Sequence, residues 1–278
     1  MIHLLLSIVC ATLILVIFKM IGRQGIVTRH VIMINYAVAG LFGILFFRPG
    51  PEVVAKQWFW PAALMGLGFY TVFQIIAKTT QESGLAAASI ATRMSVVIPV
   101  AIGIAVLDES RHFVKIAAIV LGLLAVYLST GKPGSLKSFM WPMLAFFGSG
   151  LIDSSFKLFQ VWSVGKSDFA TFSTVIFSFA FVIAFVHHIF MRDLSVKPPA
   201  MVAGTILGVV NFGSLYFIMH ALAIPQMESS VVFPINNVGV VVLSTLFATL
   251  FFREKICLTQ WVGLSLAVIS IVILSLWA

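Results

Sequence analysis

The chain has 278 residues, 61% of them apolar and only 9% charged, with a mean hydropathy of +1.12; a soluble domain carries roughly 25% charged residues. That balance excludes water as the main solvent. The formal net charge of +8 sits in short loops between apolar runs, so it reads as attraction to lipid headgroups and as topology rather than as nucleic-acid binding.

In chain order, apolar runs bounded by charge, Pro or Gly fall near 2–20, 30–47, 58–78, 84–107, 112–130, 137–160, 169–191, 199–222, 229–251 and 257–277. Each approaches the roughly 20 residues that a spanning helix needs. The first run lacks a basic leader and is read as a retained helix. Trp58, Trp60, Trp141, Trp162, Trp261 and Trp277 fall at or near run ends, where interfacial aromatics belong. The predicted fold class is an all-α integral membrane protein of about ten transmembrane helices. Spans and loops consume nearly the whole chain, so any function must lie between helices.

Polar groups at bilayer depth are costly and therefore mark candidate sites. The second span offers Asn35 beside Tyr36, and the third sets Tyr70, Gln74 and Lys78 at four-residue steps on one face. In the fourth, Ser89, Thr92 and Arg93 form a stripe that continues toward Ser95 and Pro99. The sixth carries Ser149, Asp153 and Lys157 on one face. Asp153 and Lys157 either neutralise each other as an interhelical lock, or line a cavity with Asp153 as the proton-sensitive group and Lys157 as its counter-charge. The eighth span adds Asn211, Tyr216 and His220, and the ninth Pro234-Ile235-Asn236-Asn237, where proline frees a backbone carbonyl. The expected substrate-binding set is Asn35, Tyr70, Gln74, Arg93, Ser149, Asp153, Lys157, Asn211, Tyr216, His220, Asn236 and Asn237. Each of these groups has a plainer reading as a static interhelical bond or salt bridge. His187-His188 reads as interfacial, and Lys78 and Glu228 as snorkelling residues near span ends. Two cysteines, Cys10 and Cys257, signal neither a disulfide framework nor a metal cluster. No cofactor is expected.

The chain also repeats itself weakly. Leu107-Asp108-Glu109-Ser110-Arg111 closes the fourth span as Phe252-Arg253-Glu254-Lys255 closes the ninth. Pro61-Ala62 with Gly66 in the third span has a counterpart in Pro199-Ala200 with Gly204 in the eighth. A repeat of five spans must enter the membrane opposite to its twin, which predicts two inverted five-helix units, residues 1–131 and 132–278, around a cavity near the midplane.

Five plus five spans, with acidic residues closing the fourth and ninth, resembles EamA-type members of the drug/metabolite transporter superfamily. The usual glycine before the acidic residue is replaced by Leu107-Asp108 in one half and Arg253 in the other. The resemblance implies transport of a small organic solute such as an amino acid, metabolite or drug-like compound and leaves its identity open. The inverted repeat points to alternating access, with proton-coupled export where protonation of Asp153 and solute occupancy compete. The alternative is an uncoupled exchanger or facilitator. An enzyme would need a recognisable catalytic cluster and a channel a filter or charged ring; neither appears, so no catalytic residue is expected. The partners implied are the solute, protons and the lipid bilayer, in a monomer or homodimer of the plasma membrane, or the inner membrane of a bacterium. Basic residues favour outward termini by about two to one, whereas the resemblance implies cytoplasmic ones.

Overall fold

The computed structural model describes residues 1–106, 113–129, 136–162, 168–193, 195–222, 224 and 229–276. Asp108, Glu109, Glu228 and Trp277 lie outside the described residues, as do the side chains of Lys157 and Trp162. Among the described residues every regular element is helical: α1 (Ile2–Arg23), α2 (Thr28–Phe47), a 3-10 turn at Pro51–Ala55, α3 (Phe59–Glu82), α4 (Leu85–Met94), α5 (Val97–Val106), α6 (Phe113–Ser129), α7 (Leu136–Trp162), α8 (Phe169–Phe190), α9 (Pro198–Leu222), α10 (Ser229–Leu250) and α11 (Leu258–Leu276).

Among the described residues, seven stretches are long and apolar enough to cross a membrane: α1, α2, α3, Leu85–Ile104 across α4 and α5, α8, α9, and Val232–Leu250 within α10. Two shorter apolar helices are Phe113–Ser129 and Leu258–Leu274, and α7 is long but carries Ser149, Asp153, Ser154 and Ser155. Large apolar side chains point outward along these helices, among them Phe113 at 82%, Phe190 at 80% and Leu258 at 79% exposure. Water would penalise such a surface, whereas lipid tails match it. The chain is a multi-pass, all-α membrane protein.

Helix ends follow local rules. At the end of α1, Gly25 takes φ +66°, and Ile26 N–H and Gly25 N–H donate to the Ile21 and Gly22 carbonyls at 3.0 and 3.3 Å, a Schellman closure. Three arginines hold the same left-handed region after α2, α8 and α10: Arg48 (φ 44°), Arg192 (φ 52°) and Arg253 (φ 52°). Their charge complements the carbonyl end of each helix.

Proline interrupts the fourth apolar run near its middle. Pro99 has no N–H to give the Ser95 carbonyl, which instead accepts from Ile98 N–H at 2.9 Å. The run therefore divides into α4 and α5 at Ser95 and Val96.

The principal packed pairs are α2 with α9, α3 with α8, α1 with α9, α2 with α8, and α6 with α11. Exchanging the helices before α7 with those from α7 onward, in order and with α4 and α5 counted together, turns α2/α9 into α8/α3 and α1/α9 into α7/α3, another packed pair. It returns α2/α8 and α6/α11 to themselves. The glycines singled out in the sequence obey the same exchange. A Cβ on Gly66 would lie 2.8 Å from the Ala180 nitrogen on α8, and one on Gly204 would lie 2.9 Å from the Val31 carbonyl oxygen on α2. Ala62 and Ala200, four residues before each, are both buried. Small residues here let backbones touch.

The tryptophan belt needs one correction. Trp60 is 70% exposed, but Trp58 is only 2% exposed. Trp58 meets the Phe172 ring edge-on at 5.5 Å and points its indole N–H at Asp168, 3.4 Å away. It is buried because its ring packs on Phe172 while its one donor finds the Asp168 carboxylate at the start of α8.

Candidate functional site

The break between α4 and α5 faces two other helices. Arg93, at the end of α4, reaches α10, where its Nη1 donates to Asn237 Oδ1 at 3.4 Å. Its Nε is buried and has no partner. Ser95, in the break itself, is 2.9 Å from Asp153 Oδ2 on α7. Arg93 and Asp153 act on each other electrostatically without forming a contact ion pair among the described residues. Three elements thus converge: the end of α4, the middle of α10 and the second half of α7.

Hydrogen-bond counting makes this cluster unusual. The Ser95 hydroxyl has one proton but two acceptors in reach, the Thr92 carbonyl at 2.6 Å and Asp153 Oδ2 at 2.9 Å. Ser95 either shares its one proton between the two acceptors, or gives it to the Thr92 carbonyl and accepts one from a protonated Asp153. Nearby on the same helices, Ser89 Oγ and Asn236 Oδ1 are buried without partners. Buried polar groups are rarely left so. Ser149 is buried on α7, one turn before Asp153, whereas Asp153 itself is exposed. The side chain of Lys157 lies outside the described residues.

The other candidates sit elsewhere. Asn35 and Asn211 face each other between α2 and α9, their amides 3.2 Å apart. In the orientation that satisfies both ends, Asn35 also donates to the Leu207 carbonyl and accepts from Tyr36 N–H, each at 3.3 Å. Tyr70 is buried, its phenol 2.7 Å from His187 Nδ1, with Gln74 one turn away beside it. Tyr216 and His220 meet at a tilt of 37° with ring centroids 4.1 Å apart, and His220 in turn lies 5.5 Å from the ring of His3 at the start of α1. Arg93, Asp153 and Asn237 come together, with Ser149 and Asn236 beside them; the Asn35 pair, the Tyr70 pair and the Tyr216 pair form three separate groups.

Sequence reasoning passed over Ser95 as the group that joins Asp153 to α4. The signal was available, because Pro99 four residues on frees the backbone at Ser95. It also passed over His30, which is 3% exposed at the start of α2, and Asp193 after α8, which it meets. An apolar cleft of about 370 Å³ between α5, α6 and α7, lined by Val97, Ile98, Ala101, Ile119, Phe146 and Phe147, adjoins the break. It offers no polar partner and suits hydrocarbon.

No family model matches the chain. It is 26% identical over 275 residues to an uncharacterised protein of Haemophilus influenzae, covering 94% of this chain and 93% of that one. A solved crystal structure superposes with a TM-score of 0.63 at 15% identity, over 98% of this chain and 94% of the other. That likeness is one of fold.

Proposed function

We propose that this protein is a carrier of a small organic solute, built as two inverted five-helix repeats that rock about the Arg93–Asp153–Asn237 cluster and expose it to one membrane face at a time. The observation that carries the reading is the arginine. A guanidinium at this depth costs several kcal/mol unless paired or wetted, yet among the described residues Arg93 makes one long contact, to Asn237, and leaves Nε unpartnered. A static salt bridge would have closed on Asp153. A group kept partly unsatisfied is a group waiting for a ligand, and a guanidinium prefers a carboxylate or phosphate oxygen. Asp153 meets Ser95 at 2.9 Å beside the same break, and a carboxyl group at bilayer depth is tolerated only when it is paired, protonated or wetted.

The repeat is supported by the exchange of packed helix pairs and by the matching contacts of Gly66 and Gly204. The resemblance to EamA-type transporters agrees with both. Coupling follows from the hydrogen-bond count: Asp153 holds a proton when it donates to Ser95 and loses it when a cationic group of the solute takes its place. Counterflow of candidate amino acids and metabolites in proteoliposomes tests the reading. Saturable uptake with trans-stimulation, lost in Arg93→Ala, is expected; flux that neither saturates nor responds to solute on the far side overturns it.

A further inference from the structure

Two ties bracket the packed pair α2 and α8, one near each end, the first from α2 itself and the second from the segment that leads from α2 into α3. At one end Arg29 forms an ion pair with Asp193, and His30 Nε2 lies 3.2 Å from the same carboxylate oxygen. At the other, Asp168 at the start of α8 accepts from Lys56 Nζ at 3.2 Å and from the Trp58 indole at 3.4 Å. Exchanging α2 with α8 converts one tie into the other. In each, the start of one helix is fastened to the segment that follows its partner, with the signs of the charges reversed. Helices of 20 and 22 residues put the two ties roughly 30 Å apart, at opposite faces of the bundle.

Their chemistry differs. The Lys56 end is built from an ammonium, a carboxylate and an uncharged indole, whereas the His30 end contains imidazole, which ordinarily changes its charge between about pH 5 and 8. The His30 end is rich in imidazole: the His188 ring lies 5.1 Å away with Nδ1 2.7 Å from the Ala184 carbonyl and Nε2 buried without a partner. The other titratable or charged groups facing this pair are Arg29, His187 and, through His187, the Tyr70 phenol. A proton added to His188 would bury an N–H with no acceptor beside Arg29. His30 Nε2 faces two acceptors, the Asp193 carboxylate at 3.2 Å and the Asp193 carbonyl at 3.3 Å, so it already donates in the neutral ring. A second proton, on Nδ1, sets a full positive charge against that carboxylate.

We infer that these ties are the two gates of the carrier and that only the Asp193 gate responds to pH, a proton on His30 tightening it and holding that face shut. Although burial pushes it up, the neighbouring His30 and Arg29 charges hold the Asp193 carboxyl below the ordinary carboxylate range. The acceptor therefore keeps its charge below the ordinary carboxylate range, and imidazole is the kind of group in this tie that ordinarily changes charge over neutral pH. The gating role rests on the carrier reading; the pH response of one tie does not.

Hydrogen exchange on the purified full chain reads each tie separately. The reporters are the N–H groups of Arg192 and Asp193, bonded to the Ile189 and His188 carbonyls, and those of Ala62 and Phe172, bonded to the Trp58 and Asp168 carbonyls. After correction for intrinsic exchange, protection at Arg192 and Asp193 is expected to rise several-fold between about pH 8 and pH 6, with Ala62 and Phe172 unchanged. His30→Gln should abolish that rise, and Asp193→Asn should leave the segment poorly protected at both pH values. Equal responses at the two ends, a flat response in the native protein, or a response that survives His30→Gln overturns the inference. None of these outcomes depends on solute flux, so they separate the failure of this inference from the failure of the carrier reading.

Discussion

Two polar groups deep in the bundle meet opposite fates. Between α2 and α9, Asn35 and Asn211 face one another and Asn35 reaches further partners, all buried. Between α4, α7 and α10, Arg93 has one long bond, Ser95 has too few protons for its acceptors, and Ser89 and Asn236 each keep an orphan atom. Both sets cost desolvation, and only the first recovers it within the protein. A satisfied polar pair fastens helices; an unsatisfied one invites something that is not protein. Composition alone could not separate them, since an asparagine and an arginine in an apolar run look equally out of place.

Arg93 is where the contrast can be broken most visibly. Arg93→Ala removes a charged donor whose contact with a ligand is worth about 1.5–3 kcal/mol, so solute affinity should fall about tenfold or more while the purified protein melts near its native temperature. A large loss of thermal stability without loss of flux would assign Arg93 to the fastening class instead. Asp153→Asn is the next step: an amide cannot exchange a proton, so uptake that varies with pH in the native protein should become flat. Uptake equally pH-dependent in the variant would remove Asp153 from the coupling step.

Packing predicts smaller effects on a different readout. Gly66→Leu and Gly204→Leu each force a side chain into a backbone contact of under 3 Å and should cost about 1–3 kcal/mol, similarly in the two positions if the repeat is real. Unequal losses in thermal melts would argue against matched roles. Asn35→Ala should be smallest, about 0.6 kcal/mol for an interhelical bond, with transport retained. Loss of transport at native stability would move Asn35 into the receiving class.

Much of the fold could be read from the sequence, because membrane helices declare themselves by length and apolarity. The matched positions of Gly66 and Gly204 were legible for the same reason: small residues beside Pro61-Ala62 and Pro199-Ala200 stand out in a bulky chain. Arg93, Asp153 and Asn237 stood out as ionisable or amide groups at depth. What stayed hidden was pairing. Asp153 reaches Ser95 across 58 residues, and Arg29 reaches Asp193 across 164, and no local pattern announces such partners. Tyr216 and His220 shared a helical face with plausible site residues, but that face turns toward His3 at the start of α1. Periodicity tells which residues share a face, and only the packed bundle tells what the face meets.

The left-handed arginines carry one more consequence. Arg48 ends α2 at one face of the bundle, while Arg192 and Arg253 end α8 and α10 at the other, and all three are exposed. Sliding α2 along its axis past α8 would drag one guanidinium or the other toward hydrocarbon, at several kcal/mol. Tilting costs far less, because it leaves every guanidinium at headgroup level. The seam between α2 and α8 can therefore pivot but cannot piston, which fixes the kind of motion this part of the bundle permits.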